Sequence, residues 1–173
     1  MQVYEAIRTK GAIRNFTDQP IPEEAVRKIL NAGRRAQSSK NTQPWTFVAV
    51  GDKETLRKLS ECGTYANHLA GAALGVALVS PKPGDDFDLG QAAACMQLAA
   101  WELGIGSCIG SMWEPDKAKA ILGIPAELHF DTAISFGYPA PDQRRPDAVR
   151  GGGRKPFDEV ARWRLGWRAA HEQ

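Results

Sequence analysis

The most informative part of the chain reads Ser38-Ser39-Lys40-Asn41-Thr42-Gln43-Pro44-Trp45-Thr46-Phe47-Val48-Ala49-Val50, a polar loop that runs into an apolar strand. Its hydroxyl, carboxamide and ammonium groups offer more hydrogen-bonding capacity than a turn requires, and Pro44-Trp45 fixes where the loop ends. We therefore predict a strand over residues 46–50 that carries a ligand-binding loop suited to a planar heterocycle.

Helical patterns lie on both sides of this stretch. Residues 22–35 are predicted to form a helix, because Pro22 suits the first helical position and the two glutamates that follow complement the positive end of the helix dipole. A second helix is predicted to begin at Asp52. Residues 88–103 place apolar side chains three and four positions apart, which predicts a central helix. Its alanines permit close approach of another backbone, including that of a second subunit.

Extended patterns complete the prediction. Residues 76–79 and 132–136 read as strands, the first of them ended by Pro81. Gly104 follows the central helix directly and is predicted as its C-cap. The glycine-rich run 104–110 is therefore not a dinucleotide fingerprint, which would have to follow a strand. The succession of strand, helix and strand favours an α/β or α+β domain.

Composition limits the class of protein. The chain has 173 residues, of which 43% are hydrophobic and 24% charged, as is typical of one globular domain. Its formal charge of +2 is too small to indicate a nucleic-acid partner. The first residues lack the pattern of a signal peptide, and no stretch is long and apolar enough to span a bilayer. We therefore expect a soluble, cytoplasmic protein with no membrane partner.

The cysteines and histidines show no pattern typical of a metal or nucleophilic site. No C-x-x-C spacing occurs, and His68 and His129 lack the spacing of metal ligands, so we expect no metal. Cys108 has the chemistry of a nucleophile, but no histidine stands in a partner motif. A buried structural role is therefore favoured for this thiol, and we name no catalytic side chain.

A second polar cluster lies near the N-terminus, where Lys10 and Arg14 precede Asn15-Phe16 and Pro20-Ile21-Pro22. The spacing of four places both cations on one side of a helical turn or in a tight loop, where they can hold one phosphate. Solvated surface charge is the alternative interpretation of the pair. Together with Ser-Ser-x-Asn-x-Gln-Pro-Trp at residues 38–45, this arrangement resembles the opening of the nitroreductase family of flavin enzymes.

The resemblance implies a fold, a cofactor and a set of binding residues. The fold would be the nitroreductase α+β sandwich, with a central sheet that contains antiparallel strands, flanked by helices, in an intertwined homodimer. FMN would bind at the dimer interface, with NADH or NADPH as co-substrate. Basic residues would meet the phosphate, and the polar loop would reach the flavin largely from the second subunit. The implied cofactor-binding residues are Lys10, Gly11, Ala12, Arg14, Gln37, Ser38, Ser39, Asn41, Cys108, Ile109, Gly110 and Arg154.

The resemblance also implies an activity. The protein would transfer hydride from NAD(P)H through the flavin to nitroaromatic or quinone-like acceptors in a ping-pong scheme, in which both substrates use the same face of the ring. A dehydrogenase or dehalogenase on the same scaffold is an alternative, and so is an FMN-binding sensor or storage protein. The resemblance implies that residues 1–173 form a single FMN-binding domain, with residues 157–173 packing on the partner subunit. Trp163 and Trp167 require burial, which packing on the chain's own core would also provide.

Overall fold

The computed structural model describes residues 1–142 and 154–162, so the predicted anchors Trp163 and Trp167 lie outside the described residues. Short 3₁₀ turns occur at Ser39–Asn41 and at Asn67–Leu69. The helices and strands are, in chain order, α1 (Val3–Thr9), α2 (Glu23–Arg34), β1 (Thr46–Val50), α3 (Lys53–Ser60), β2 (Leu74–Ser80), α4 (Asp86–Glu102), β3 (Gly106–Ser111), α5 (Pro115–Leu122), β4 (His129–Gly137) and α6 (Phe157–Val160).

The four strands form one sheet in the order β1-β2-β4-β3, and every neighbouring pair is antiparallel. All seven residues of the inner strand β2 are buried, which explains its unbroken run of apolar and small side chains. Within the described residues, β1 and β3 are the two edge strands. β3 pairs with β4 from Gly106 opposite Gly137 to Ser111 opposite Thr132. Helices and an antiparallel sheet in one unit confirm the predicted α+β class.

Helices cover both faces of the sheet and bury a separate core on each. On one face, α2 and α4 enclose a core that includes Ile29, Met96 and Phe136. On the other face, α3 and α5 enclose a core that includes Leu59. The pair α2 and α4 approaches closely because Gly33 carries no side chain, and a Cβ at that position would overlap Met96. The sheet therefore forms the middle of a three-layer sandwich.

Most of the predicted elements are present, with small changes at their ends. β1 covers the predicted residues 46–50, and α3 begins after Asp52, whose carboxylate accepts the Thr55 N–H at 2.8 Å. Pro22 is the N-cap of α2 and not its first helical residue, so that prediction was wrong by one position. The C-cap of α4 is Leu103, and Gly104, one residue further on, takes the left-handed conformation with φ of 73°. The glycine therefore stands one position beyond the predicted C-cap, where a left-handed residue commonly ends a helix.

No helix in the part of the chain described here combines the length and the apolar character needed to cross a bilayer.

Candidate functional site

Lys10 and Arg14 lie on an extended segment. α1 ends at Thr9, Lys10 follows with extended backbone angles, and the residues up to Arg14 are not helical. The predicted helical turn joining the two cations is therefore not formed.

This segment runs along the outer edge of β3. Ala12 forms a parallel bridge with Ser107, and the Ile13 N–H donates to the Ser107 carbonyl at 2.9 Å. The Ile13 side chain is buried. Gly106 makes this approach possible, because a Cβ there would lie only 2.6 Å from the Cβ of Ile13. The bridge thus holds the basic segment beside the start of β3.

A buried polar network fixes Lys10. Its Nζ donates to Gln97 Oε1 at 3.4 Å, and Gln97 Nε2 donates to Ser107 Oγ at 3.2 Å. Gln97 lies on α4 and is 8% exposed. Burial lowers the pKa of Lys10, and the positive charge of Arg154 lowers it further, which places the two cations near each other. Two neighbouring cations favour an anionic ligand between them.

The positive charge of Arg14 shifts the pKa values of two side chains, Cys108 and His68. Burial raises the pKa of the Cys108 thiol, and the charge of Arg14 partly offsets that rise. Burial also lowers the pKa of His68 to about 4, and the charge of Arg14 lowers it further. A contact with the backbone of Ile109 opposes this shift. Cys108 is only 3% exposed, so its thiol is a buried group with little thiolate character.

The middle of β3 offers backbone groups to a ligand. Side chains alternate along the strand, so that Cys108 and Gly110 point inward while Ile109 is 47% exposed. Among the described residues, the bridge from Ala12 to Ser107 is the only strand pairing on the outer edge of β3. The edge beyond that bridge can therefore accept further hydrogen bonds.

Two hydrogen bonds shape the polar loop. The Gln43 N–H donates to Ser38 Oγ at 2.9 Å, and the Ser39 N–H donates to Asp88 Oδ2 at 3.0 Å. Asp88 lies near the start of α4 and is 8% exposed. Gln37, just before the loop, is exposed.

Three non-glycine residues of the loop take the left-handed conformation, namely Lys40, Asn41 and Gln43, with φ of 51°, 55° and 50°. Such strain is characteristic of ligand-binding loops.

The predicted residues form two groups anchored at different places on α4. The cationic group is attached through Gln97, and the polar loop is attached through Asp88, nine residues earlier on the same helix. A helix rises about 1.5 Å per residue, which separates the two anchors by roughly 13 Å. Gly11 and Ala12 belong to the cationic group through their place on the segment beside β3.

A large apolar surface remains exposed on α1 and α4, which we call the α1/α4 surface. On α1, Val3 is 73%, Tyr4 is 77% and Ile7 is 56% exposed, and at the start of α4, Phe87 is 80% exposed. A cavity of about 300 Å³ lies in this surface, bordered by α1, the end of α2 and α4. Exposed apolar side chains beside a cavity are typical of an interface.

The structure brings in residues that the sequence analysis missed. Gln97, Asp88 and His68 are all buried polar side chains that contact or support the predicted site residues. His129 also gains neighbours that its sequence spacing did not indicate. Its Nε2 lies 3.4 Å from a carboxylate oxygen of Asp131 and 3.7 Å from one of Asp86. This cluster stands at the starts of β4 and α4 and has no hydrogen bond to the cationic group within the described residues.

Comparisons with known proteins agree in sequence and in structure. The model of the nitroreductase family matches residues 7–82 and 79–138. A protein from Archaeoglobus fulgidus named as an NADH dehydrogenase/NAD(P)H nitroreductase is 35% identical over 162 residues, which cover 83% of this chain and 93% of that protein. An NADH dehydrogenase from Thermus thermophilus is 28% identical, covering 90% of this chain and 92% of that protein. A solved nitroreductase from Desulfovibrio desulfuricans in complex with FMN superposes with a TM-score of 0.78 at 28% identity, covering 95% of this chain and 98% of that chain.

Proposed function

The chain belongs to the nitroreductase family, and from this membership we propose an FMN-dependent oxidoreductase that uses NADH or NADPH to reduce nitroaromatic or quinone-like acceptors. The observation that carries the proposal is the position of Lys10, which the network through Gln97 and Ser107 holds beside β3, where the charge of Arg154 also lowers its pKa. When bound, FMN supplies the chemistry: it takes a hydride equivalent from the nicotinamide and delivers it to the acceptor in a second half-reaction.

The donor groups of the site fit the phosphate of FMN. Lys10 and Arg154 lie near each other, and the Lys10 ammonium already loses solvation in the folded protein. A phosphate dianion would compensate both charges with charge-assisted hydrogen bonds. Arg14 acts on Cys108 and His68, so we assign it to the region between the phosphate and the ring. In this respect the proposal refines the sequence prediction, which assigned all three cations to the phosphate.

The backbone of β3 fits the polar edge of the flavin ring. Cys108, Ile109 and Gly110 lie beyond the bridge to Ala12. Because outward-facing backbone groups alternate along an edge strand, those of Ile109 face the outer edge, while those of Cys108 and Gly110 face β4. Backbone N–H and C=O groups there can bind the alternating acceptors and donors of a heterocycle without any charged side chain. The exposed Ile109 side chain offers an apolar contact beside them.

A second subunit completes the site in our proposal. The polar loop and the cationic group are anchored roughly 13 Å apart on α4, at 1.5 Å per residue, so the loop of one subunit would serve the flavin held by the other. The exposed α1/α4 surface is suited to this homodimer. Residues 157–173 would extend over the partner, since Phe157 is 62% and Val160 is 65% exposed. In this arrangement Gln37, Ser38, Ser39 and Asn41 would come from the partner.

The side chains would bind and orient the reactants, and proton transfer by a side chain is not required. The cations fix the phosphate end, and the β3 backbone fixes the ring, which leaves one face of the ring for substrates. Trp113 follows β3 by two residues and is 70% exposed, so it offers an aromatic surface near the end of that strand. A planar acceptor is the class of substrate that such a surface favours.

The first experiment is the absorbance spectrum of the purified protein supplied with FMN, before and after anaerobic addition of NADH or NADPH. The proposal expects bound flavin whose visible bands bleach rapidly. Bands that persist with either nicotinamide would instead favour an FMN sensor or store. Failure to bind FMN under any condition would refute the proposal.

Steady-state kinetics then test the order of the reaction. Varying nicotinamide at several fixed concentrations of a nitroaromatic or quinone should give parallel double-reciprocal lines, as a ping-pong scheme requires. Intersecting lines would contradict two separate half-reactions at one face of the ring. Activity with a halogenated phenol, and none with nitroaromatics, would favour a dehalogenase on the same scaffold.

The dimer can be tested separately from the chemistry. Ile7→Glu places a charge on the α1/α4 surface, so we expect a monomer in sedimentation analysis and loss of FMN binding. Tyr65→Glu is a matched control, because Tyr65 is 77% exposed but lies outside that surface. If the Ile7→Glu protein is monomeric and binds FMN as the unchanged protein does, the shared site is wrong.

A further inference from the structure

His68 is a buried histidine with no part in the mechanism described above. It lies in the 3₁₀ turn Asn67–Leu69, between α3 and β2, and is 4% exposed. Its Nδ1 is 2.7 Å from Ser135 Oγ on β4, and the Ser135 hydroxyl donates to the Cys108 carbonyl at 3.3 Å. A chain of hydrogen bonds therefore runs from the imidazole to the backbone of β3.

The same ring also packs directly on β3. A Cβ at Gly110 would lie 3.2 Å from His68 Nε2 and 3.3 Å from its Cε1, so a side chain there would crowd the ring. Because Gly110 has no side chain, the imidazole can pack on the buried side of β3. The outer edge of the same strand segment faces the proposed site. Ala66 borders the same space, which confines the ring further.

The ring is electrically neutral in the folded protein, because burial and the charge of Arg14 oppose its protonation and lower its pKa. A neutral imidazole has one donor and one acceptor nitrogen. Nδ1 shares a hydrogen bond with the Ser135 hydroxyl, and the direction of that bond sets which ring nitrogen carries the proton.

Fold stability alone does not explain this residue. Nε2 is buried and makes no hydrogen bond of good geometry with the described residues, although the Ile109 backbone lies close enough to the ring to raise its pKa. An unsatisfied buried polar group costs about 1–3 kcal/mol, and an apolar side chain of similar size would avoid that cost. His68 is a buried polar residue directly behind β3, the strand that borders the site. We take this position to indicate a role in the site.

We propose that His68 is a positioning residue of the cofactor site: through Ser135 and through its packing on Gly110, it fixes the backbone of Cys108–Gly110 against which the flavin ring lies. The inference rests on the proposed function, because it assigns the ring of FMN to this strand. It adds a residue on the far side of β3 that acts on the ring without touching it.

The test measures flavin binding and flavin spectra in the dimeric protein, without reference to turnover. His68→Leu removes both ring nitrogens, and Ser135→Ala removes the link to Cys108. Both variants should lower the binding affinity for FMN and for riboflavin about equally, by roughly tenfold. The lost contact concerns the flavin ring, which the two ligands share, and not the phosphate. Both should also shift the visible absorbance band and the fluorescence of the bound flavin.

His129→Gln is the matched control, because His129 is a partly exposed histidine paired with Asp131 and Asp86 away from the site. It should leave flavin affinity and spectrum unchanged. The inference is overturned if Ser135→Ala and His68→Leu bind FMN with the affinity and spectrum of the unchanged protein. Should His68→Leu fail to fold, Ser135→Ala alone decides between these two outcomes. If the unchanged protein binds no flavin, the proposed function fails first, which is a distinguishable result.

Discussion

Replacing Asp88 with alanine tests whether one buried carboxylate holds the polar loop in its shape. Asp88 Oδ2 accepts the Ser39 N–H at 3.0 Å, and the residue is 8% exposed. A hydrogen bond to a charged group contributes about 1.5–3 kcal/mol to stability. The loop also contains three non-glycine residues at positive φ, and each costs about 1–2 kcal/mol. Without its anchor, the loop can therefore lower its energy by changing conformation.

We expect Asp88→Ala to lower the free energy of unfolding by about 1.5–3 kcal/mol. Asp88→Asn keeps an uncharged acceptor of the same shape, so its effect should be roughly half as large. The affinity for FMN should fall by about tenfold for each 1.4 kcal/mol of organisation that the loop loses. The released loop should also be cut faster by trypsin after Lys40, which is exposed.

Urea unfolding, FMN titration and limited trypsin digestion together provide the assay. Asp86→Ala is the control on the same helix turn, because the Asp86 side chain is 67% exposed and forms a long ion pair with His129. Such a surface pair contributes about 0–1 kcal/mol. If Asp88→Ala is no more destabilised than Asp86→Ala and binds FMN equally well, the anchoring role is refuted.

Three further predictions concern the cationic group and its surroundings. Gly106→Ala should lower stability by about 1–3 kcal/mol in thermal unfolding and weaken FMN, because the added Cβ would push Ile13 away from β3; an unchanged melting temperature would contradict the close approach. Lys10→Met should stabilise the flavin-free protein near pH 7, since a lowered folded-state pKa means that the charged ammonium is disfavoured by folding, and it should weaken FMN far more than riboflavin. Equal losses for the two flavins would exclude a phosphate contact. Folding lowers the pKa of His68 from 6.5 to about 4, so its neutral form contributes stability that is lost as pH falls from 6.5 through 4. Relative to His68→Leu, the free energy of unfolding of the unchanged protein should fall by about 2–3 kcal/mol between pH 7 and pH 4.5 in equilibrium unfolding. Parallel stability curves for the two proteins would show that this histidine is not held neutral.

The fold was largely predictable because its strongest signals are local. The apolar run at residues 46–50, Asp52 before α3 and Gly104 after α4 each act on their own segment. The strand was found as predicted, and the two helix ends lie within one residue of their predicted places. The strand order β1-β2-β4-β3 was not predicted, since it depends on which strands meet across many intervening residues. The position of Pro22 outside α2 is a difference of one residue, where capping and first-turn geometry are nearly equivalent.

The site was only partly predictable for a related reason. Lys10, Arg14 and the polar loop stand in motifs that can be read directly. Gln97 and Asp88 stand in a helix of alanines and leucines, where a polar residue gives no sign of its distant partner. Asp88 meets a residue 49 positions away, and Gln97 meets one 87 positions away. His68 offered only the negative signal of missing metal spacing, although its contact with Ser135 requires the folded sheet.

The contrast between α2 and α4 has a consequence for how this sequence can change over generations. α2 exposes a charged side with pairs such as Arg27 and Glu23, so many substitutions there should be silent. α4 carries no charged residue between Asp88 and Glu102, and the exposed positions in that part of the helix, Gly90 and Ala94, carry the smallest side chains. In saturation mutagenesis, positions that tolerate substitution should therefore recur every three to four residues along α2, and such positions should be nearly absent along α4. Inherited variation should accumulate on the outer helices, while the central helix retains its small residues.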